Sequence, residues 1–416
     1  MTTATTDSNT LVESPYAWWR LAAALLLSTI GGVGTWCVVV ALPAVQVEFG
    51  SARGAASLPY TLTMIGFGFG GIMLGRWSDR VGAMKPVVVG AIILGCGSIV
   101  ASAAGSLWQF AIVQGLLIGV GCSATFSPLL ADTSRWFDRR RGMAVGIFAS
   151  GNYLAGAIWP PIVQHFIASA GWRATYVGLG VFVIVTMVPL AWVLRRRSPT
   201  IEPKRADGAP DAARPLGLSP TSLHVLLMLA AFACCVAMSM PQVHLVAYCG
   251  DLGYGPARGA QMLSLMLGCG VVSRLTFGWI SDRIGGLRTL LLGSGLQCVA
   301  LLLFLPFDGL VSLYVIAAMF GLFQGGIVPA YAIIVREYFP AKEAGSRVSA
   351  VITLSLFGMA LGGWMSGVIF DLTGSYAAAF INGSLWNLLN LSIALWLLLR
   401  SRKRLPLSSR MPAFSS

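Results

Sequence analysis

Charge is scarce in this sequence, and it is scarcest inside the apolar runs. Only 10% of the residues are Asp, Glu, Lys or Arg, against 56% hydrophobic. A soluble domain carries about 25% charged residues, so a water-soluble globular fold is excluded. No Asp, Glu or Lys falls near the middle of any long apolar run. The eight cysteines (Cys37, Cys96, Cys122, Cys234, Cys235, Cys249, Cys269, Cys298) form no C-x-x-C and no zinc-type pattern; they read as small apolar residues. There is no G-x-S-x-G, H-E-x-x-H or P-loop, so neither a hydrolase nor an ATPase is indicated. No catalytic group, metal or cofactor is expected, and the chain is not read as an enzyme. Residues 1–19 lack a basic n-region, so the first apolar run itself is expected to direct insertion. A net charge of +13 would suggest nucleic acid in a soluble protein. At this apolar content it reads as loop charge that sets membrane topology, with no nucleic-acid partner.

What is present is a repeat. Gly75-Arg76-Trp77-Ser78-Asp79-Arg80-Val81-Gly82-Ala83-Met84-Lys85 returns 203 residues later as Gly278-Trp279-Ile280-Ser281-Asp282-Arg283-Ile284-Gly285-Gly286-Leu287-Arg288. Each copy separates two apolar runs. A bilayer span needs about 20 apolar residues, and twelve candidates emerge: 21–45, 56–76, 86–104, 107–131, 142–168, 172–194, 221–248, 257–280, 287–306, 311–337, 346–370 and 376–399. The 49 glycines suit close helix packing in lipid. The expected fold is an all-α membrane protein of twelve transmembrane helices in two pseudo-symmetric six-helix bundles. The expected domains are 1–195 and 221–416, joined by a Pro-, Ala- and charge-rich linker, 196–220. Twelve spans put both termini on one side. With those termini inside, every Lys and Arg among the 28 is cytoplasmic except Arg53, Arg173 and Arg258 outside and Arg274 within a span. The offset persists beyond the loops: Pro128 and Pro329 are 201 apart, Gly171 and Gly374 are 203 apart.

In each loop the glycines, Gly75 and Gly278 first among them, allow a tight turn between packed helices. Asp79 and Asp282 are placed to accept from the free N–H groups of a neighbouring helix start, and Arg80 and Arg283 to bridge acids or carbonyls. Such a loop is a latch between two packings. The pattern resembles the signature loop of the major facilitator superfamily, and the resemblance covers nearly the whole chain. It implies that Asp79 and Asp282 hold one conformational state by bonding across to the other half, with Arg80 and Arg283 as supports.

One strong charge does lie within a span. Arg274 sits one to two turns before the end of span eight, four residues above Gly278. An intramembrane Arg costs about 2.5–3.5 kcal/mol on the insertion scale, so it should face a wet cavity or an anion. With no acid in the spans, the counter-charge can be the substrate, and a guanidinium matches a carboxylate. Ser273-Arg274-Leu275 followed by Gly278 resembles the monocarboxylate transporter branch, including its oxalate/formate exchanger relatives. So do Phe49-Gly50-Ser51-Ala52-Arg53, Trp136-Phe137 with Arg140-Arg141-Gly142, and Pro241-Gln242-Val243-His244-Leu245. The resemblance implies that Arg274 binds the carboxylate. There are two departures. The animal carriers have an Asp one turn before this Arg, where this chain has Gly270. The oxalate exchanger has a Lys in its eleventh span, and none lies inside 348–370 here. The first departure argues against proton coupling as those carriers perform it, and by the second one carboxylate suits the site better than two.

Polar and aromatic residues in facing spans complete the candidate substrate site: Trp36, Tyr60 and Phe126 in the first four spans, Asn152 and Tyr153 in the fifth, Gln324 and Tyr331 in the tenth, Ser355 in the eleventh. Helix–helix bonding or interfacial anchoring is the competing role for each. His244 is a candidate proton-linked group. The resulting expectation is a monomeric, multi-pass inner (plasma) membrane transporter with cytoplasmic termini. It would carry a small monocarboxylate or related organic anion by proton-coupled symport or anion exchange. Two alternatives stay open: a proton-driven drug or metabolite exporter of the same fold, and an anion sensor that moves nothing. Such exporters usually have an embedded acid and G-x-x-x-G-P in span five, which Gly151–Pro161 lacks.

Overall fold

The computed structural model describes residues 12–196, 198 and 215–402; most of the expected linker lies outside them. Among the described residues, eleven helices are long and apolar enough to cross a membrane. One of these, Gly142–Arg195, is turned at Gly171 (φ 81°, ψ 160°) into two limbs, which match expected spans five and six. The spans are α1 (Pro15–Glu48), α2 (Arg53–Val81), α3 (Met84–Ser102), α4 (Leu107–Trp136), α5 and α6 (the limbs of Gly142–Arg195), α7 (Pro220–Asp251), α8 (Pro256–Ile284), α9 (Gly286–Leu303), α10 (Leu310–Tyr338), α11 (Glu343–Thr373) and α12 (Tyr376–Ser401).

Local chemistry marks the starts. Ser14 and Ser219 accept from the N–H of Ala17 and Ser222 (3.4 and 3.0 Å), and each is followed by a proline. A cap satisfies one orphan donor of the first turn, and proline at the first helical position has none to lose. The repeated motif closes the same way in both copies. Gly82 (φ 85°) and Gly285 (φ 82°) donate to Ser78 O and Ser281 O at 2.8 and 2.9 Å. That backbone region is closed to residues with a Cβ. The Ser-Asp-Arg segments themselves are the last turns of α2 and α8, not loop.

Burial follows position. Val33–Leu42 of α1 and Ala233–Ala247 of α7 are enclosed without interruption. α6 and α12 turn Val185 and Leu385 outward, as helices facing hydrocarbon do. α4, α5 and α10 are broken: at Phe126 (φ −119°, ψ −69°), between Ala149 and Gly151, and between Gln324 and Ile327. The face that carries Pro15, Ser401 and both repeated motifs is called the terminal face, and its opposite the far face. Among the described residues, the hydrogen bonds joining the first six spans to the last six run from the level of Arg274 to the far face: Arg274 to Ala149, Ser264 to Ala157, Thr61 to Ala360, and Arg53 and Gly54 to residues of α7, α11 and α12.

Candidate functional site

The helix breaks explain the surroundings of Arg274. A broken helix leaves carbonyls without intrahelical partners, and inside a membrane they must find donors. Arg274 Nε donates to Gly325 O in the break of α10 (3.3 Å), and Nη1 to Ala149 O in the break of α5 (2.6 Å). Its guanidinium carbon lies 4.4 Å from the centre of the Tyr153 ring, a cation–π contact. Arg274 is half-buried, and no acid pairs with it among the described residues. Nη2 makes no hydrogen bond there either. Neutral carbonyls hold the group while its charge stays unbalanced and one edge of its fork stays open. Because α8 runs on to Ile284, Arg274 is ten residues from the helix end, roughly 15 Å. That is deeper than hydropathy alone placed it.

Tyr153 also accounts for Gly270. A Cβ at Gly270 would overlap the Tyr153 ring, so an acid there would displace the ring from the guanidinium. Asn152 is clamped through its carbonyl by Trp36 Nε1 (3.2 Å). Phe126 lies at the break of α4, 6.1 Å from Phe67 and 5.9 Å from Phe148.

Next to Gly325, Gln324 accepts from Gln242 Nε2 (2.9 Å). Both amides are fully or nearly fully buried, yet among the described residues Gln324 Nε2 and Gln242 Oε1 have no partner, and neither does Ser273 Oγ beside Gly325. Tyr60 is buried against Gly363, and its hydroxyl has no partner among the described residues. Unmet buried polar atoms are uncommon, and here three of them border the Arg274 carbonyl contact. Gln242 and Ser273 were not among the expected site residues. Their signal was faint: each is a small or neutral polar residue in an apolar run.

Other expected site residues have partners elsewhere. Tyr331 donates to Asn390 Oδ1 (2.7 Å), and Asn390 to Ser294 (2.7 Å), a network that joins α9, α10 and α12. Ser355 returns its hydroxyl to Ile352 O of its own helix. His244 is wholly buried, with Nε2 2.7 Å from Gly363 O and its ring 5.7 Å from Tyr376. The motifs are not symmetric in their contacts. Asp79 pairs with Arg135 of the same half at 2.5 Å. Asp282 makes no ion pair among the described residues; Glu337 caps the α9 start at Gly286 N (2.9 Å). Arg283 lies 3.7 Å from the ring of Trp279. Among the described residues, neither Asp79 nor Asp282 caps a helix start, and neither motif bonds across the halves. Gly75 and Gly278 line these helix ends without close packing partners. Arg20, one residue before the expected first span, lies inside α1 and forms a buried two-pronged pair with Asp132 (2.7 and 2.9 Å).

Residues 24–311 and 263–414 match the family model of the Major Facilitator Superfamily. Monocarboxylate transporter 13 of Rattus norvegicus is 30% identical over an alignment covering 75% of this chain and 73% of that protein. Monocarboxylate transporter 12 of Mus musculus is 24% identical, with 89% of this chain and 82% of the relative covered. Among solved structures, a bacterial homologue of the human lysosomal transporter Spinster, inward-facing and occupied, superposes with a TM-score of 0.73 at 17% identity, over 96% of this chain and 99% of that one.

Proposed function

The chain belongs to the Major Facilitator Superfamily, and from that membership we propose that it is a secondary transporter of a small monocarboxylate or related organic anion. Membrane transport and kinship with the monocarboxylate transporters stand on the family match and the relatives. The substrate class rests on one observation: an unbalanced, half-buried guanidinium held by neutral carbonyls, with an open donor edge. A carboxylate supplies both the missing charge and two acceptors. The unmet atoms of Gln242, Gln324 and Ser273 fit further polar groups of the same solute. Asn152, Tyr153, Trp36, Phe126 and Tyr60 frame it, while Tyr331 and Ser355 support the helices.

In this reading residues 1–195 rock against 221–416 about the site, the linker 196–220 joins them, and the termini are cytoplasmic in a bacterial-type inner membrane. Asp79, Arg80, Asp282 and Arg283 latch the terminal face in the state where that face closes. An unpaired Arg274 resists occlusion when empty, which favours exchange or co-transport with a proton, and a monomer suffices. The test is counterflow of labelled lactate, pyruvate and short aliphatic or aromatic acids in proteoliposomes. Arg274→Ala and Arg274→Lys are expected to abolish uptake and keep native melting. Normal anion uptake by a folded Arg274→Ala protein would sink the reading.

A further inference from the structure

On the far face the start of α2 is docked onto the other half of the molecule. Its short helix, Arg53–Ala56, follows Ala52, which offers no capping side chain. The cap comes from α11 instead. Asp371 Oδ1 accepts from Arg53 N (2.8 Å) and Oδ2 from Gly54 N (2.7 Å). The Arg53 side chain adds a second hold. Nη1 donates to the Tyr376 hydroxyl of α12 (2.9 Å), Nη2 to Asp251 Oδ1 of α7 (3.0 Å), and the guanidinium lies 5.0 Å from the Phe370 ring. Arg53 is only 7% exposed, and Ser57 one turn below is fully buried. Gly367 of α11 backs directly onto Ser57 and Gly54. One turn of the first half is thereby tied to three helices of the second.

Among the described residues the second half has no counterpart. Arg258, at the matching start of α8, is exposed and reaches only Gln261 of its own helix (3.1 Å). Topology is served equally by either arginine, so the Arg53 contacts need another reason.

We infer that Arg53 and Asp371 form a lock that closes the far face, and that this lock must part before a solute can pass there. The inference rests on the alternating-access reading above. Charge-assisted bonds suit such a lock, because water takes over each donor and acceptor on opening, and closure is then firm but reversible. Arg53, Asp371 and Asp251 act on access and not on the solute, and are positioning residues.

The test is the reaction of Ser57→Cys with a charged maleimide. The full-length protein sits in lipid nanodiscs, and mass spectrometry resolves the labelled site from the native thiols. With the lock intact, labelling is slow. Arg53→Ala and Asp371→Ala are expected to raise its rate about tenfold, the effect of losing a charge-assisted bond. Asp371→Asn keeps one acceptor oxygen and falls between. Arg258→Ala leaves the rate unchanged. Equal labelling in native and lock variants that still melt cooperatively would overturn the inference. An equal rise with Arg258→Ala would also overturn it, because loss of any far-face charge would then suffice. If Asp371→Ala does not fold, Asp251→Asn removes only the ion pair; a smaller rise supports the lock and no rise rejects it. The readout is independent of Arg274: anion uptake by Arg274→Ala would remove the substrate reading and leave the lock standing.

Discussion

At the scale of single residues, Arg274 was legible because a guanidinium in an apolar run announces a cost that something must offset. The amide pair beside it was not. Gln242 and Gln324 carry no charge, and nothing in either run tells that the two meet, share one bond and leave two atoms unmet. An unsatisfied buried polar atom costs about 1–3 kcal/mol. Replacing both amides by apolar groups of similar shape should therefore be neutral or stabilising. The double variant Gln242→Leu, Gln324→Leu is expected to melt at or above the native temperature. If the unmet atoms hold part of the solute, counterflow of labelled lactate should fall about tenfold, the equivalent of 1.4 kcal/mol. Lower melting with unchanged transport would make the pair structural. The sequence also suggested Tyr331 and Ser355 for the site. Polar groups in hydrocarbon turn inward, but inward includes the inside of one half, where Tyr331 bonds Asn390.

At the scale of elements, hydropathy located every span but misplaced the ends. Helices run past the hydrocarbon, so the apolar signal stops before the backbone ladder does. That is why Ser281-Asp282-Arg283 looked like loop and is helix. Gly171 shows the converse. A single residue with φ 81° parts two spans that the backbone otherwise joins in one run. The repeated glycines carry a prediction of their own. Gly82 and Gly285 sit where a Cβ meets its own backbone, a strain of about 1–3 kcal/mol. Gly82→Ala and Gly285→Ala should each lower the melting temperature by a similar amount, because the two turns share one geometry. Gly142→Ala, at a helical position with open space around it, should not. Thermal unfolding in detergent checks this, and a Gly285→Ala protein as stable as native would show that the second turn is not bound by the geometry of the first.

At the scale of the whole molecule, the two halves are copies in sequence and unequal in contact. The near-identical motifs predicted equal latches, yet Asp79 pairs with Arg135 while Asp282 makes no ion pair among the described residues. Which face is sealed depends on contacts between halves that no local pattern encodes, such as Asp371 reaching across to Arg53. Two ion pairs in the first half separate switching from support. Asp79–Arg135 is exposed, at 57% and 39%, and such pairs contribute about 0–1 kcal/mol. Arg20–Asp132 is buried, at 2% and 5%, and removing one member of a buried pair costs about 3–5 kcal/mol by stranding the other charge. Arg20→Met should therefore lower the folded yield sharply, and adding Asp132→Leu should restore much of it. Asp79→Asn should leave melting nearly unchanged. If Asp79 latches the terminal face in the opposite state, the same variant should slow lactate counterflow, because a state that is rarely reached limits every cycle. Native transport by Asp79→Asn would assign the motif to topology alone. Melting as poor as that of Arg20→Met would show that the exposed pair supports the fold.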